Sequence, residues 1–419
     1  MKHSLRAFRH RNYRLFFIGQ SLSVIGSWIQ QLAMSWLVYR LSGSAWLLGV
    51  TGFAGQIAIL LVAPFGGIWA DRFDRRKLLI ITQGLAMVQG FALAALAYAG
   101  LVEVWHVIVM AALLGVVMAF DTPIRSSFTS EMVPSRQDLP SAIAFNAVMQ
   151  NGGRMIGPTI AGLLLTISSE AFCFLANGIS KLAVIASLIM IAVPPQAMAP
   201  AKGRIWASFK EGVTYAWDLV PARLLLPVVA LTSFMVTPYL TLMPIFAAEI
   251  FTGGARTLGF LIGGAGLGGI VGMVYLASRR DVRGLARWVA GASALAGVAM
   301  IGFAYSRLLP LSLFLITVTG FGIIIMANST NQILQTIVED NKRGRVMSFF
   351  VMAFLGMQPI GSLAAGALAS WIGATHTLAL GGLCAVIGAC LLWRKLPLLR
   401  RHIRPMYIRL GIIPAQPPD

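Results

Sequence analysis

At 419 residues the chain is long enough for two or three soluble domains, yet its composition excludes them. Apolar types make up 58% of residues, Asp, Glu, Lys and Arg only 11%, and the mean hydropathy is +0.79, whereas a soluble surface needs about a quarter charged residues. On a soluble protein a net charge of +19, from 33 Lys and Arg against 14 Asp and Glu, would point to nucleic acid. Here the cations form short runs between bilayer-length apolar stretches, so they read as membrane topology and no nucleic-acid partner is expected.

The N-terminal MKHSLRAFRHRNYR runs into a long apolar span containing Trp28, Gln30, Gln31 and Trp36, which reads as a retained helix and not a cleaved signal. Apolar spans fall at 13–39, 45–69, 78–98, 104–125, 139–167 and 171–193. A second set falls at 224–247, 258–277, 286–305, 308–331, 346–370 and 375–393. The expected fold class is therefore an all-α membrane protein with twelve transmembrane helices in two six-helix bundles. The first bundle covers residues 1–193 and the second 224–393. A cytoplasmic linker, 194–223, joins them and carries an amphipathic segment around Trp206–Trp217; a basic cytoplasmic tail, 394–419, follows.

Charge placement tests this parse. With both termini inside, nearly all of the 33 Lys and Arg fall on the inner side. Arg40, Arg256 and Arg307 lie outside, and Arg154 and Lys181 lie within spans, an asymmetry that a missed helix would destroy. The connections Ser130–Phe145 and Gln335–Phe350 occupy matching places after the fourth and tenth spans, as in two parallel repeats. Cys173, Cys384 and Cys390 sit inside spans and read as small hydrophobes. The five histidines show no ligand spacing, and neither a nucleophilic triad nor a phosphate-binding loop is recoverable. No cofactor, metal or catalysis is expected.

The most specific motif is Gly67-Ile-Trp-Ala-Asp71-Arg72-Phe-Asp-Arg75-Arg76-Lys77, between the second and third spans. Gly67 permits close helix approach, Asp71 can accept from a helix N-terminus, and the arginines can lock that latch to a carboxylate. This pattern, G-x-x-x-D-R-x-x-R-R, resembles that of the major facilitator superfamily. Asp121-Thr-Pro-Ile-Arg125, Glu131-Met-Val-Pro134, Gly157-Pro158 and Arg343-Gly-Arg345 look like its branch of drug–proton antiporters that includes the enterobactin exporter and macrolide-type efflux proteins. The similarity runs from Leu5 to Trp393. It implies the major facilitator fold, an inner gating network of Gly67, Asp71, Arg72, Arg75, Arg76, Asp121, Arg125, Arg343 and Arg345, and a substrate site near the midplane.

In the fifth span Gly153, Arg154, Gly157, Pro158 and Gly162 keep most of the family's antiporter motif without its doubled final glycine. Helical spacing puts Asn146, Gln150, Gly153/Arg154 and Gly157 on one face, with Pro158 expected to bend the helix. Simple packing through small residues accounts for the same pattern. Arg154 lies roughly 15 Å from either surface at 1.5 Å per residue, too deep to reach water easily. It is expected to face a cavity and meet an anionic substrate group, or to bond backbone carbonyls opened by Pro158. Lys181 adds a second cation, expected to pack with Asn177. Polar stripes at Gln20, Ser23, Ser27 and Gln30/Gln31, at Ser233, Thr237 and Thr241, and at Asn328, Asn331, Gln332 and Gln335 line a cavity or bond neighbouring helices. The substrate set is then Gln31, Gln150, Arg154, Thr237 and Asn328.

The function implied is secondary export of small amphipathic or anionic compounds from a bacterial inner membrane, as a monomer, with proton coupling carried over from the family. Mid-helix carboxylates, the easiest proton carriers to recognise, are absent from the first and seventh spans. Lysophospholipid transport and a non-transporting receptor or scaffold are the alternatives.

Overall fold

The structure, a computed structural model, describes residues 6–133, 135, 137–192, 217–279, 282–410 and 412, with the side chains of 63–72, 130, 340 and 341 left out. The linker as far as residue 216, Pro134, Arg136 and residues 413–419 of the tail lie outside it.

Among the described residues every regular element is helical. A 3-10 turn, Arg6–Arg9, precedes α1 (Arg11–Ser42), α2 (Ala45–Arg72), α3 (Arg75–Tyr98), α4 (Val104–Glu131), α5 (Leu139–Ile167) and α6 (Glu170–Met190). Then α7 comprises Val220–Met235 and, after a break at Pro238, Tyr239–Ile245 with a π-helical turn over Phe246–Ile250. Next come α8 (Gly254–Ser278), α9 (Leu285–Tyr305) and α10 (Leu309–Ile337). Last, α11 runs through Asp340–Val351, a π-helical turn at Met352–Gly356 and 357–372, and α12 covers 374–409. Gly373, at φ 83° and ψ 157°, separates the final two, a conformation open to glycine because it lacks Cβ.

Each expected apolar span coincides with helix, but several helices overrun it. α4 continues to Glu131, α10 to Ile337 and the last helix to Arg409, well into the segment read as a tail. Hydropathy marks the length that lipid can cover, whereas backbone hydrogen bonding continues wherever side chains do not interrupt it. The ends are chemically marked. Gly43, left-handed at φ 59°, caps α1 by donating its N–H to the Tyr39 carbonyl, and Asp74 caps α3 by accepting from the Lys77 N–H.

Nine helical stretches among the described residues are long and apolar enough to cross a membrane. Their outward faces confirm which solvent they need. On α3, Ile81, Leu85 and Val88 are all more than half exposed at helical spacing, a stripe that water would penalise and lipid accepts.

Contacts divide the chain into two compact units. The first takes the described residues within 1–202 together with Leu240–Gly266 and Ser362–Ser370. Within it α1 packs on α5 and α6, α2 on α4, and α3 on α4 and α6. An apolar cluster includes Tyr13, Phe16, Leu79, Ile124 and Phe128. The second unit takes the rest, with α9 against α10 as its main pair.

Close approach within the first unit depends on glycine. A Cβ on Gly162 of α5 would stand 2.9 Å from both the Ala255 carbonyl oxygen and Gly259 Cα of α8, contacts real Cβ atoms do not make. Gly162→Val therefore forces the two helices apart, at a cost of about 1–3 kcal/mol. Gly152, one turn before Ile156 on the same helix, has open space around its Cα. We expect Gly162→Val to lower the thermal midpoint of the purified protein by several degrees, while Gly152→Ala holds or raises it. An unchanged midpoint in Gly162→Val would show that the α5–α8 contact is looser than the geometry requires.

Candidate functional site

The basic loop between α2 and α3 distributes its charges among separate partners. The side chains of Gly67, Asp71 and Arg72 are not among those described. Arg75 Nη1 donates to Glu131 Oε1 at 2.5 Å, tying the start of α3 to the end of α4. Arg76 donates through Nε and Nη2 to the carbonyls of Leu188 and Ile189 at 2.6 and 2.5 Å. Those carbonyls belong to the last turn of α6, where orphan acceptors and the negative end of the helix dipole favour a cation. In the second unit Arg343 reaches the Val338 carbonyl at 3.5 Å, just past the end of α10, and Arg345 is half-buried.

The described bonds of Asp121 run to α3 and along α4. It is fully buried on α4 and its Oδ1 accepts from Thr82 Oγ1 at 2.9 Å and from Gln83 Nε2 at 2.7 Å, both on α3. Its Oδ2 lies 3.6 Å from Arg125 Nε, one turn along α4. The described ion pair of Asp121 is therefore a local one, along its own helix.

From Asp121 a line of buried polar groups continues across the unit. Ser23 Oγ on α1 donates to Gln83 Oε1 at 3.3 Å, and Lys181 Nζ on α6 donates to Ser23 Oγ at 2.8 Å and Ser27 Oγ at 2.7 Å. One helical turn further along α1, the fully buried Gln30 donates to Gln89 Oε1 at 2.7 Å and accepts from Asn177 Nδ2 at 2.6 Å. Two expectations change here. Lys181 bonds the α1 serines and not Asn177, whose Nδ2 donates to Gln30 and whose Oδ1 accepts from Ser180. The polar stripe of α1 also splits: Ser23 and Gln30 are buried between helices, while Gln31 is exposed, as neighbours about 100° apart on a helix must face different surroundings.

The glycine face of α5 meets α1. A Cβ on Gly153 would stand 2.4 Å from Val24 Cγ1, and one on Gly157 would stand 2.5 Å from Trp28 Cβ, so the motif permits backbone-to-side-chain contact there. Pro158 has no N–H to give the carbonyl four residues back, which is that of Arg154. The carbonyl so released lies against Gly266 of α8, where a Cβ would come within 3.0 Å. Pro158 leaves α5 continuous from Leu139 to Ile167. The Arg154 guanidinium lies over the Trp28 indole, its Cζ 5.7 Å from the ring centroid, in cation–π geometry.

The remaining substrate-set residues fall in both units. Gln150 in the first is half-buried. In the second, Thr237 is buried, and Asn328 turns its amide back to the Ile324 carbonyl on its own helix at 3.0 Å. Asn146 accepts from Tyr13 on α1 and donates to Thr129 on α4.

Sequence reasoning gave no contact to four participants. Glu131 was quoted only as part of a motif, though an acid one helix end away from a basic loop is a signal. Gln83 and Thr82 form a polar pair inside the third span. Trp28 sits one turn of α1 from Val24, the register that receives Gly157 and Gly153.

The comparisons with known proteins agree with this architecture. A family model described as transmembrane secretion effector matches residues 2–403. The staphyloferrin A transporter of Staphylococcus aureus is 26% identical over 376 residues, covering 89% of this chain and 93% of that one. Macrolide efflux protein A of Streptococcus pyogenes is 24% identical over 387 residues, with 89% and 94% covered. The multidrug efflux pump Tap of Mycobacterium tuberculosis is 26% identical over 406 residues, with 92% and 93% covered. Among solved structures, a bacterial homolog of the human lysosomal transporter Spinster, inward-facing and unoccupied, superposes with a TM-score of 0.71 at 14% identity, over 96% of this chain and 98% of that one. The nucleoside transporter NupG gives 0.72 at 12% identity, over 92% and 99%. These two likenesses speak for the fold alone. Matched over nearly its whole length, the chain belongs to the transmembrane secretion effector family of the major facilitator superfamily, and it is a secondary transporter of small molecules, not an enzyme.

Proposed function

We propose that the protein exports small amphipathic or anionic compounds, of drug or siderophore type, by alternating access driven by the proton gradient. The observation that carries this reading is Arg154. It places a guanidinium at the middle of α5, over Trp28 on α1, where helix packing alone needs no charge. The relatives named for staphyloferrin A, macrolide and multidrug transport support the substrate class. Gln31, Gln150 and Arg154 of the first unit and Thr237 and Asn328 of the second are the proposed substrate-contacting residues. Asp71 and Arg72, with the Arg75–Glu131 pair and with Arg76 on the end of α6, form the proposed inner latch, and Arg343 and Arg345 are its counterparts in the second half. We infer twelve membrane crossings in two six-helix bundles, both termini cytoplasmic, in a monomer of the bacterial inner membrane.

Purified protein in liposomes tests the reading directly. With a pH gradient imposed, we expect concentrative uptake of an amphipathic dye or an anionic siderophore into inside-out vesicles, and its loss in Asp71→Asn without loss of insertion. Flux of lysophospholipid alone would replace the reading with lipid transport. The absence of flux of any of the three probes would favour a receptor or scaffold.

A further inference from the structure

Lys181 is the one buried lysine among the described residues, and the export reading gives it no task. It lies at the centre of α6 and is 1% exposed. A charge at that depth is costly to insert and is kept where it has a task. No carboxylate stands in salt-bridge contact with it among the described residues. Its ammonium is held by the Oγ atoms of Ser23 and Ser27, and more loosely by the Ser23 carbonyl at 3.4 Å, all on α1.

The charged groups that act on it are Asp121 and Arg125 of α4. From α3 the group joining this seam is Gln83, and from α6 itself Asn177 faces Gln30, so neither helix adds a charge there. The seam thus contains two cations, Lys181 and Arg125, and one carboxylate, Asp121. Without the Lys181 proton the charges balance, as Asp121 against Arg125. With it the seam carries one excess positive charge, held by serine oxygens and by the field of Asp121 across Ser23 and Gln83. Arginine stays protonated under all physiological conditions, which leaves the other two groups, and of these the lysine is the one whose N–H bonds hold α1.

Position links that proton to the substrate residues. Ser27 and Trp28 are adjacent on α1, and Trp28 carries Arg154 and receives Gly157 on its other side. The ammonium grips α1 on one face while α5 grips it on the next.

We propose that Lys181 is a proton-exchange site of the transport cycle, its protonated form binding α1 through Ser23 and Ser27 and its neutral form releasing that hold. In the step, one N–H bond of the ammonium breaks, the electron pair remains on Nζ, and the proton leaves to water admitted when the helices part. The inference rests on the proton-driven reading above and assigns its site.

The chain has only seven lysines, so Lys181 is observable directly. Protein carrying 13C at lysine Cε, in lipid nanodiscs, is titrated by NMR, and the resonance lost in Lys181→Arg is that of Lys181. The expected result is a one-proton transition of that resonance within the physiological pH range. A resonance that keeps one protonation state throughout overturns the proposal. In proteoliposomes Lys181→Arg, permanently charged, and Lys181→Gln, permanently neutral, are expected to retain downhill counterflow of ethidium within about threefold of wild type and to lose accumulation driven by a pH gradient. Should one of the two fail to fold, the other carries the result. A wild type whose ethidium transport ignores the pH gradient overturns the proton-driven reading and this site with it. A coupled wild type with equally coupled variants overturns the site alone.

Discussion

Asp121→Ala is expected to cost the protein more stability than any other single substitution among its polar residues, and to abolish efflux. The carboxylate is fully buried, accepts two hydrogen bonds from α3 and stands 3.6 Å from Arg125 on its own helix. Its removal leaves Thr82 and Gln83 without an acceptor and the Arg125 charge without a counter-ion. Breaking a buried pair by removing one member costs about 3–5 kcal/mol, because the survivor remains desolvated. Exposed pairs at this spacing are worth only a few tenths, so burial decides the magnitude. Asp121→Asn separates charge from shape: its amide oxygen still accepts from Thr82 and Gln83, but Arg125 loses its partner. We expect Asn to recover only the part of the thermal stability that the two hydrogen bonds from α3 supply, and none of the efflux. Labelling of introduced cysteines from the cytoplasmic side should match wild type in Asp121→Asn, since the bonds of Asp121 run to α3 and along α4. Increased labelling would instead show that Asp121 holds the basic loop closed.

The sequence reveals length, apolarity and charge asymmetry, and these suffice for the helices, because a bilayer permits few alternatives for a chain of this composition. Partner choice is harder to read. Arg75 and Arg76 are adjacent and chemically equal, yet one meets Glu131 and the other the end of α6. The difference comes from the direction in which successive residues leave the first turn of α3, which a motif does not encode. The stripe of α1 shows the same limit. Helical spacing identifies Ser23, Ser27 and Gln30 as sharing a face, but whether that face meets a cavity or another helix depends on Gln83, Gln89 and Lys181, distant in sequence. Glycine was more legible. The small-residue pattern of α5 announced close packing, and both its neighbours, α1 and α8, supply the surfaces that use it.

Arg154 yields the second large effect, on selectivity. Its guanidinium is stacked over Trp28, and the carbonyl of the same residue is the one that Pro158 cannot bond. Stacking orients the planar group, and a planar fork of donors suits a carboxylate or phosphate in two parallel hydrogen bonds. Lysine keeps the charge but neither the plane nor the fork. A charge-assisted hydrogen bond contributes about 1.5–3 kcal/mol, and each 1.4 kcal/mol is tenfold in affinity. Arg154→Ala and Arg154→Lys are therefore both expected to weaken binding of anionic compounds by roughly 10–100-fold, alanine the more severely. Neutral compounds of similar size should lose less than about threefold, since they use the indole and not the fork. Quenching of tryptophan fluorescence by matched anionic and neutral ligands measures both affinities in one preparation. If Arg154 instead serves only the backbone, by bonding carbonyls that Pro158 releases, the loss is structural and falls on both classes alike. Equal transport of anionic and neutral compounds by a well-folded Arg154→Ala protein would therefore remove Arg154 from the substrate site and leave it to α5.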